Sequence, residues 1–251
     1  MNIMNTWRMT AAVAALAMFV VIAAVMLAED GGGADDGVTR YQGGGVNLGS
    51  NSPPPFDATE DDFIRLRIRP FLAEITSTIT YCVVAGGPID LTSGPGLAAV
   101  NAAFATWDTE LGLNLFQPAG TIIDCGGAAG VVQWGSLGSR AVGQAGLQFG
   151  AANFATRTAP VTGFTITLNS DFSWAIGAQA NMYDVQSVLT HEAGHPLGLD
   201  DLKPIKDLCL TMFGSAFLND IRERTLGHGD KLGAHAIYGG VATGTAASCT
   251  A

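Results

Sequence analysis

Charge is scarce in this chain. Asp, Glu, Lys and Arg make up 14% of its 251 residues, against about 25% in an ordinary soluble domain. Cations are scarcer still: 12 Lys and Arg face 22 Asp and Glu, for a net charge of −10. A nucleic-acid surface needs clustered cations to replace phosphate counterions, so nucleic acid is excluded as a partner. Histidine occurs four times and cysteine four times. The wide intervals between Cys82, Cys125, Cys209 and Cys249 exclude a zinc ribbon. Long apolar runs are missing everywhere except at the N-terminus.

That one run is informative. Arg8 precedes an unbroken apolar stretch from Ala11 to Ala28, and Glu29 and Asp30 follow at once. A positive start with an apolar stretch behind it describes an export signal. The stretch is also near the ~18 residues that mark a membrane span, and Met26 stands where a cleavage site wants a small residue. Residues 1–28 therefore read as a signal peptide or an uncleaved N-terminal membrane anchor. Either way Arg8 stays inside and the rest is secreted or extracytoplasmic. Residues 29–58 carry two Gly triplets and a Pro triplet with few apolar residues, the composition of a linker. Residues 59–251 remain as one domain, large enough to bury a core unaided. In an exported chain four cysteines form disulfides; Cys82–Cys125 and Cys209–Cys249 join near neighbours and are the expected pairs.

Within the domain, Ile64, Leu66 and Ile68 alternate with arginines, which suits a short strand, while Asp61 and Asp62 could equally open a helix that Pro70 ends. Ile75–Val84 reads as a strand. From Pro95, Val100, Phe104, Trp107 and Leu111 share one helical face, and Gly112 ends that helix. Leu113–Phe116, Val131–Trp134, Ala141–Phe149 and Phe164–Leu168 are four further strands between turn residues.

Asp184 is a good N-cap for a helix whose core face holds Val185, Val188 and Leu189. That helix carries His191-Glu192-Ala193-Gly194-His195. Residues four apart lie on one helix face, so both imidazoles reach one metal ion while Glu192 is rotated off that line. Gly198 falls where a helix ends in a left-handed residue, letting the chain turn back. By spacing, the third ligand is Asp201. A helix with two surface histidines does not account for Glu192, Gly198 and Asp201 arriving together. The pattern is that of a zinc hydrolase.

With these residues on the page the chain resembles the metzincin metalloproteases, and among them the matrixins. The likeness is carried by Val100 to Trp107 with Leu113-Asn114-Leu115-Phe116, by Phe164 to Asn169 with Trp174, by the zinc motif, by Leu210-Thr211-Met212-Phe213-Gly214 as a methionine turn, and by Gly229 to Gly239 as a terminal helix. It implies an α+β zincin-like domain, with a twisted mixed five-stranded sheet packed on an active-site helix and a second long helix. It also implies one catalytic zinc on His191, His195 and Asp201, Glu192 as general base, Met212 as the floor of the site, and a protein or peptide substrate. That substrate is expected to lie extended along Ala141–Phe149, with Phe213–Leu226 walling its pocket.

Three departures matter. Matrixins carry histidine where Asp201 stands; aspartate is found there in small secreted bacterial metzincins of the snapalysin type. The histidines of a structural zinc are missing, and no cysteine precedes Cys82 to serve latency. Pro196 removes an N–H from the motif helix and crowds the Glu192 carbonyl, at ~3 kcal/mol in a helix interior. Unwinding after His195 would misdirect Asp201 and favour the alternative, a catalytically inactive binding domain that kept the fold. His228 and His235 read as helix histidines and Tyr238 as packing. Calcium suits an acid-rich chain, with no ligands to name.

Overall fold

The computed structural model describes residues 22–28, 63–68, 71–119, 125, 128–139, 141–203, 208–242 and 244. The expected linker at 29–58, and all of residues 1–28 before Ile22, lie outside the described residues. In chain order the elements are β1 (Ile22–Ala28), β2 (Ile64–Arg65), β3 (Arg67–Ile68), β4 (Phe71–Ile75), β5 (Ile79–Val83), α1 (Gly94–Leu111), β6 (Phe116–Pro118), β7 (Gly130–Gly135) and β8 (Ala141–Phe149). There follow β9 (Thr158–Asn169), β10 (Trp174–Ala175), β11 (Tyr183–Asp184), α2 (Val185–Leu197), β12 (Leu199–Asp200), β13 (Ser215–Ala216) and α3 (His228–Tyr238).

Apolar alternation organises the sheet around β9, whose inward positions include Phe164, Ile166 and Leu168, all fully buried. β8 runs antiparallel along one edge of β9, with Gly143 opposite Leu168 and Leu147 opposite Phe164. On the other edge β7 runs parallel to the second half of β9 and β4 parallel to its first half. β5 follows β7, and β6 follows β5, again parallel. The strands β8, β9, β7, β5 and β6 make the mixed sheet that the sequence predicts, and β1, β3, β4 and β13 extend it.

α1 and α2 cover one face. Val100, Phe104 and Trp107 of α1 are buried on the predicted stripe, and Gly112 caps the helix at φ 63°. Phe104 stacks against Tyr81, Phe116 and Phe164 at ring-centroid distances of 4.2, 4.8 and 5.6 Å. Full burial of such side chains contributes about 1.5–3 kcal/mol each. The Trp107 indole N–H donates to the Thr190 carbonyl at 2.8 Å, tying α1 to the middle of α2. A Cys82–Cys125 disulfide, Cα atoms 5.6 Å apart, links β5 to the chain before β7. Cys209 is also disulfide-bonded; its expected partner Cys249 lies outside the described residues.

Two strand boundaries differ from expectation. The predicted strand Ile75–Val84 is two strands, because Ile75 closes β4, paired to β9, and Ile79 opens β5, paired to β6 and β7. Partner choice, not local propensity, splits them. The strand expected at Leu113–Phe116 begins only at Phe116. The Asp108 carboxylate accepts the Leu115 and Phe116 N–H groups first, leaving Leu113 exposed after the helix cap. Ile64–Ile68 adopts the strand alternative: β2 pairs with β12 and β3 with β4.

The end of α2 is the tightest point of the fold. Gly198 takes φ 103°, and its N–H closes the last turn onto the Gly194 and His195 carbonyls. A Cβ there would run into the Ala73 carbonyl of β4. The Leu197 carbonyl accepts the Tyr238 hydroxyl at 2.9 Å, the Gly198 carbonyl accepts the Leu66 N–H at 2.7 Å, and the same Tyr238 oxygen accepts the Ile75 N–H at 2.8 Å. The carbonyls of Leu197 and Gly198 are thus satisfied from two other parts of the chain, α3 and the segment joining β2 to β3. Gly198→Ala combines a left-handed backbone penalty of about 1–2 kcal/mol with an overpacking penalty of about 1–3 kcal/mol. A loss of at least about 2 kcal/mol in denaturant-unfolding stability is expected, and an unchanged midpoint would contradict it.

Candidate metal centre

The site grows out of α2. Its start is fixed by Asp184, whose side chain accepts the Ser187 N–H at 2.9 Å and the Gly177 N–H at 2.6 Å. Arg224 adds a two-pronged ion pair to the same carboxylate, at 2.7 and 2.6 Å. Burial works against ionisation of Asp184, but Arg224 and the N–H donors hold its carboxyl below the usual carboxylate range. From Ser187 to Leu197 every residue of the helix is buried. A helix buried on all sides carries its polar groups inward only for a reason.

His191 and His195 meet on one face, ring centroids 5.0 Å apart and nearly perpendicular. The Nδ1 of His191 lies 2.7 Å from the Thr211 carbonyl, and that of His195 lies 2.9 Å from the Leu199 carbonyl. A carbonyl only accepts, so each Nδ1 carries the proton and each Nε2 presents a lone pair. Both Nε2 atoms point at Asp201 Oδ1, at 3.2 and 3.5 Å. These three atoms are buried and form no hydrogen bond of acceptable geometry. Two neutral imidazole nitrogens and a carboxylate oxygen, each oriented by backbone behind it, fit a zinc ion. Ligand atoms of His191, His195 and Asp201 all lie within 4.8 Å of one another, and no other such grouping of three His, Cys, Asp or Glu side chains occurs among the described residues. The expectation of calcium finds no ligand set there.

The helix runs through Pro196 to Leu197 before Gly198 ends it. Pro196 stands in the last turn, where the Gly198 N–H closes the helix without it. Asp201 is aimed by backbone on both sides. β12 just before it pairs with β2, while the Leu202 N–H donates to Met212 O at 2.8 Å and the Leu202 carbonyl accepts the Gly214 N–H at 2.9 Å. Asp200 instead accepts the N–H of Asp201 at 2.9 Å and does not join the grouping.

Glu192 lies beside this group, fully buried, with Oε2 3.9 Å from His195 Nε2. Its space is made by Gly143 of β8, where a Cβ would sit 2.6 Å from Glu192 Oε1. Met212 is 2% exposed and packs where any Cβ at Gly194 would intrude, directly beneath the motif helix. Asp230 fastens this turn: its carboxylate accepts the N–H groups of Thr211, Met212 and Gly227 at 2.7, 3.0 and 2.8 Å. Thr211 in turn holds His191, so Asp230 positions a ligand through the turn rather than by direct contact. Sequence reasoning missed Asp230 and Gly143. The available signal for Asp230 was its place at the third position of α3, where an acid commonly accepts the N–H of the residue before the helix. Gly143 gave none. His228 opens α3, and His235 binds Gly239 O and Glu110 at 2.8 and 3.2 Å, away from the ligand group.

Burial would lower the pKa of His191, but the adjoining Asp201 carboxylate outweighs it and lifts His191 to about 9. Burial lowers that of His195. Asp201 is held below its usual range by the two imidazoles, despite its burial. At neutral pH His191 therefore carries a second proton, on Nε2, and a divalent cation must displace it. Zinc affinity is expected to weaken about tenfold per pH unit as pH falls below about 9, and to level off above it. Competition titrations against a chelating dye from pH 6 to 10 measure this; a flat profile would refute it.

A family model described as matrixin matches residues 74–239, about two thirds of the chain. The match begins in β4 and ends at the residue that caps α3, so it contains every residue of the metal group, Glu192 and Met212. The family is one of zinc-dependent endopeptidases acting on proteins or peptides. No curated protein matches the chain.

Proposed function

We propose that this chain, which belongs to the matrixin family, is an exported zinc-dependent endopeptidase in which Glu192 is the general base. The observation that carries the reading is the convergence of His191, His195 and Asp201 on one point beside the buried carboxylate of Glu192. His191 Nε2, His195 Nε2 and Asp201 Oδ1 would hold the zinc ion. When bound, zinc supplies Lewis-acid chemistry, making water more acidic and polarising a carbonyl.

Glu192 is placed for proton work. A carboxylate that is not a ligand, buried beside the metal group, takes the proton of the attacking water at its Oε atoms and returns it to the leaving amine. The edge of β8 turned away from β9, which β1 occupies in this structure, would offer a substrate backbone N–H and C=O groups that bind an extended peptide without demanding a sequence. Residues 213–226, held by the Arg224–Asp184 ion pair, wall the pocket beyond the cut. Met212 is the apolar floor. In this reading residues 59–251 form the catalytic domain, and residues 1–28 serve as export signal or anchor. No helix among the described residues is long and apolar enough to cross a membrane.

The test uses the full chain and Asp57–Ala251, each assayed for zinc content and for cleavage of an unstructured protein. One zinc per chain and cleavage abolished by a chelator are expected. Zinc bound with no cleavage by either chain would overturn the peptidase reading in favour of a binding domain.

A further inference from the structure

A second cavity opens between α1 and the strands β5 and β6, and no residue of the metal group or of the wall segment lines it. It measures about 460 Å³, the size of a molecular binding site and far more than a single ion needs. Tyr81, Phe104 and Phe116 are its buried floor, and Leu113, 43% exposed, stands on its rim. Asp108 supplies the one charged side chain of the lining. Its two oxygens accept the Leu115 and Phe116 N–H groups at 2.9 and 3.2 Å, and no Lys or Arg among the described residues pairs with it. Burial accordingly holds its carboxyl above the usual range. The Tyr81 hydroxyl donates to Asn101 Oδ1 at 2.8 Å, which leaves the Asn101 NH2 group as a donor on the same wall. Asn101 and Asp108 lie two turns apart on one face of α1, about 10 Å along its axis.

We propose that this cavity docks a Lys or Arg side chain of a peptide, and so holds a protein substrate at a point remote from the cut. The substrate role rests on the peptidase reading. The occupant is a cation because the lining carries one carboxylate, half-buried and with no cation beside it, and because aromatic rings attract a cation further. A metal ion fits poorly, since one carboxylate offers too few ligands. The apolar stem of Lys or Arg covers the aromatic floor while its head meets Asp108, and the Asn101 NH2 donates to the carbonyl of the same residue. The distance to the cut follows from the sheet. β8, β9, β7, β5 and β6 lie in that order, so four strand spacings of about 4.8 Å, or roughly 19 Å, separate β8 from β6. An extended chain covers that in about six residues. The basic residue therefore stands at least about six residues from the bond that is cut.

The experiment titrates the zinc-loaded full chain, labelled for NMR, with N-acetylarginine methylamide and with its neutral citrulline counterpart. Expected are shifts of the Asn101 side-chain and Leu113 backbone amide signals, and an affinity for the arginine probe at least about tenfold the greater. Asp108→Asn should erase that preference. Ala105→Lys should erase it too: the position is exposed, lines the cavity and lies one turn before Asp108 on the same face, so it brings in a competing ammonium without disturbing the core. In cleavage, Ala105→Lys should raise KM at least about tenfold at unchanged kcat for an unstructured protein rich in Lys and Arg. KM should not change for the same protein with those residues replaced by Gln, nor for peptides ending within about five residues of the cut. Equal affinity for the two probes, or an arginine preference that persists in Ala105→Lys, overturns the site. A preference for arginine with the same KM in the parent and Ala105→Lys overturns the substrate role. The titration does not depend on cleavage, so a parent that prefers arginine and cuts nothing sinks the peptidase reading and leaves the basic side-chain site standing.

Discussion

Glu192→Ala is expected to slow cleavage of an unstructured protein by about 10²–10⁴-fold while leaving zinc at one per chain. The separation of the two readouts follows from position. His191 and His195 lie four apart and share a face; Glu192 follows His191 directly and is turned away from that line. Its Oε2 is 3.9 Å from His195 Nε2, close enough to serve water at the same point but not in the ligand grouping. Glu192→Gln keeps the shape and one acceptor oxygen but cannot take a proton, so it should lose as much as Glu192→Ala. Partial activity in the Gln chain would mean that the carboxylate orients water rather than deprotonating it. Unchanged cleavage in either chain would remove Glu192 from the mechanism. A parallel fall in zinc content would make it a ligand or a structural support.

The parts of this site that could be read from residues are those with short-range geometry. Two histidines four apart, a glycine three further on and an acid after it define a helix, its stop and the return of the chain, because each step depends only on helix pitch and on the left-handed freedom of Gly198. Likewise the face of α1 follows from Val100, Phe104 and Trp107 alone. The long-range supports were not legible. Nothing local in β8 says that Gly143 faces Glu192; that depends on the register of β8 against β9 and on how α2 crosses the sheet. The two backbone bonds from Asp230 to the methionine turn depend on α3 docking from the far end of the chain. Pro196 shows the opposite error. Its local cost suggested a helix broken before the third ligand, yet the return of the chain is governed by Gly198, Tyr238 and the β2–β12 pairing, none of which involves the missing N–H.

Asp201→Ala is expected to weaken zinc binding by at least about 100-fold, with Asp200→Ala close to the parent. Outer residues that merely orient a ligand cost 10–100-fold when lost, so removal of a ligand itself should do no less. The contrast between neighbours is the useful part. Asp200 belongs to β12, half-buried, and its carboxylate is turned onto the N–H of Asp201. Asp201 Oδ1 stands 3.2 and 3.5 Å from the two imidazoles with no hydrogen bond of its own. Asp201→Ala also removes the charge that raises the His191 pKa, because burial alone would lower it and the adjoining Asp201 carboxylate outweighs burial. The pH dependence of whatever zinc binding remains should therefore move below pH 9, toward or beneath the ordinary histidine range. Asp201→His exchanges a carboxylate for a third imidazole at the place where matrixins carry one. Zinc binding restored by histidine but not by asparagine would show that the position is a ligand. Equal loss in the Asp200 and Asp201 chains would instead trace the effect to the turn after Gly198.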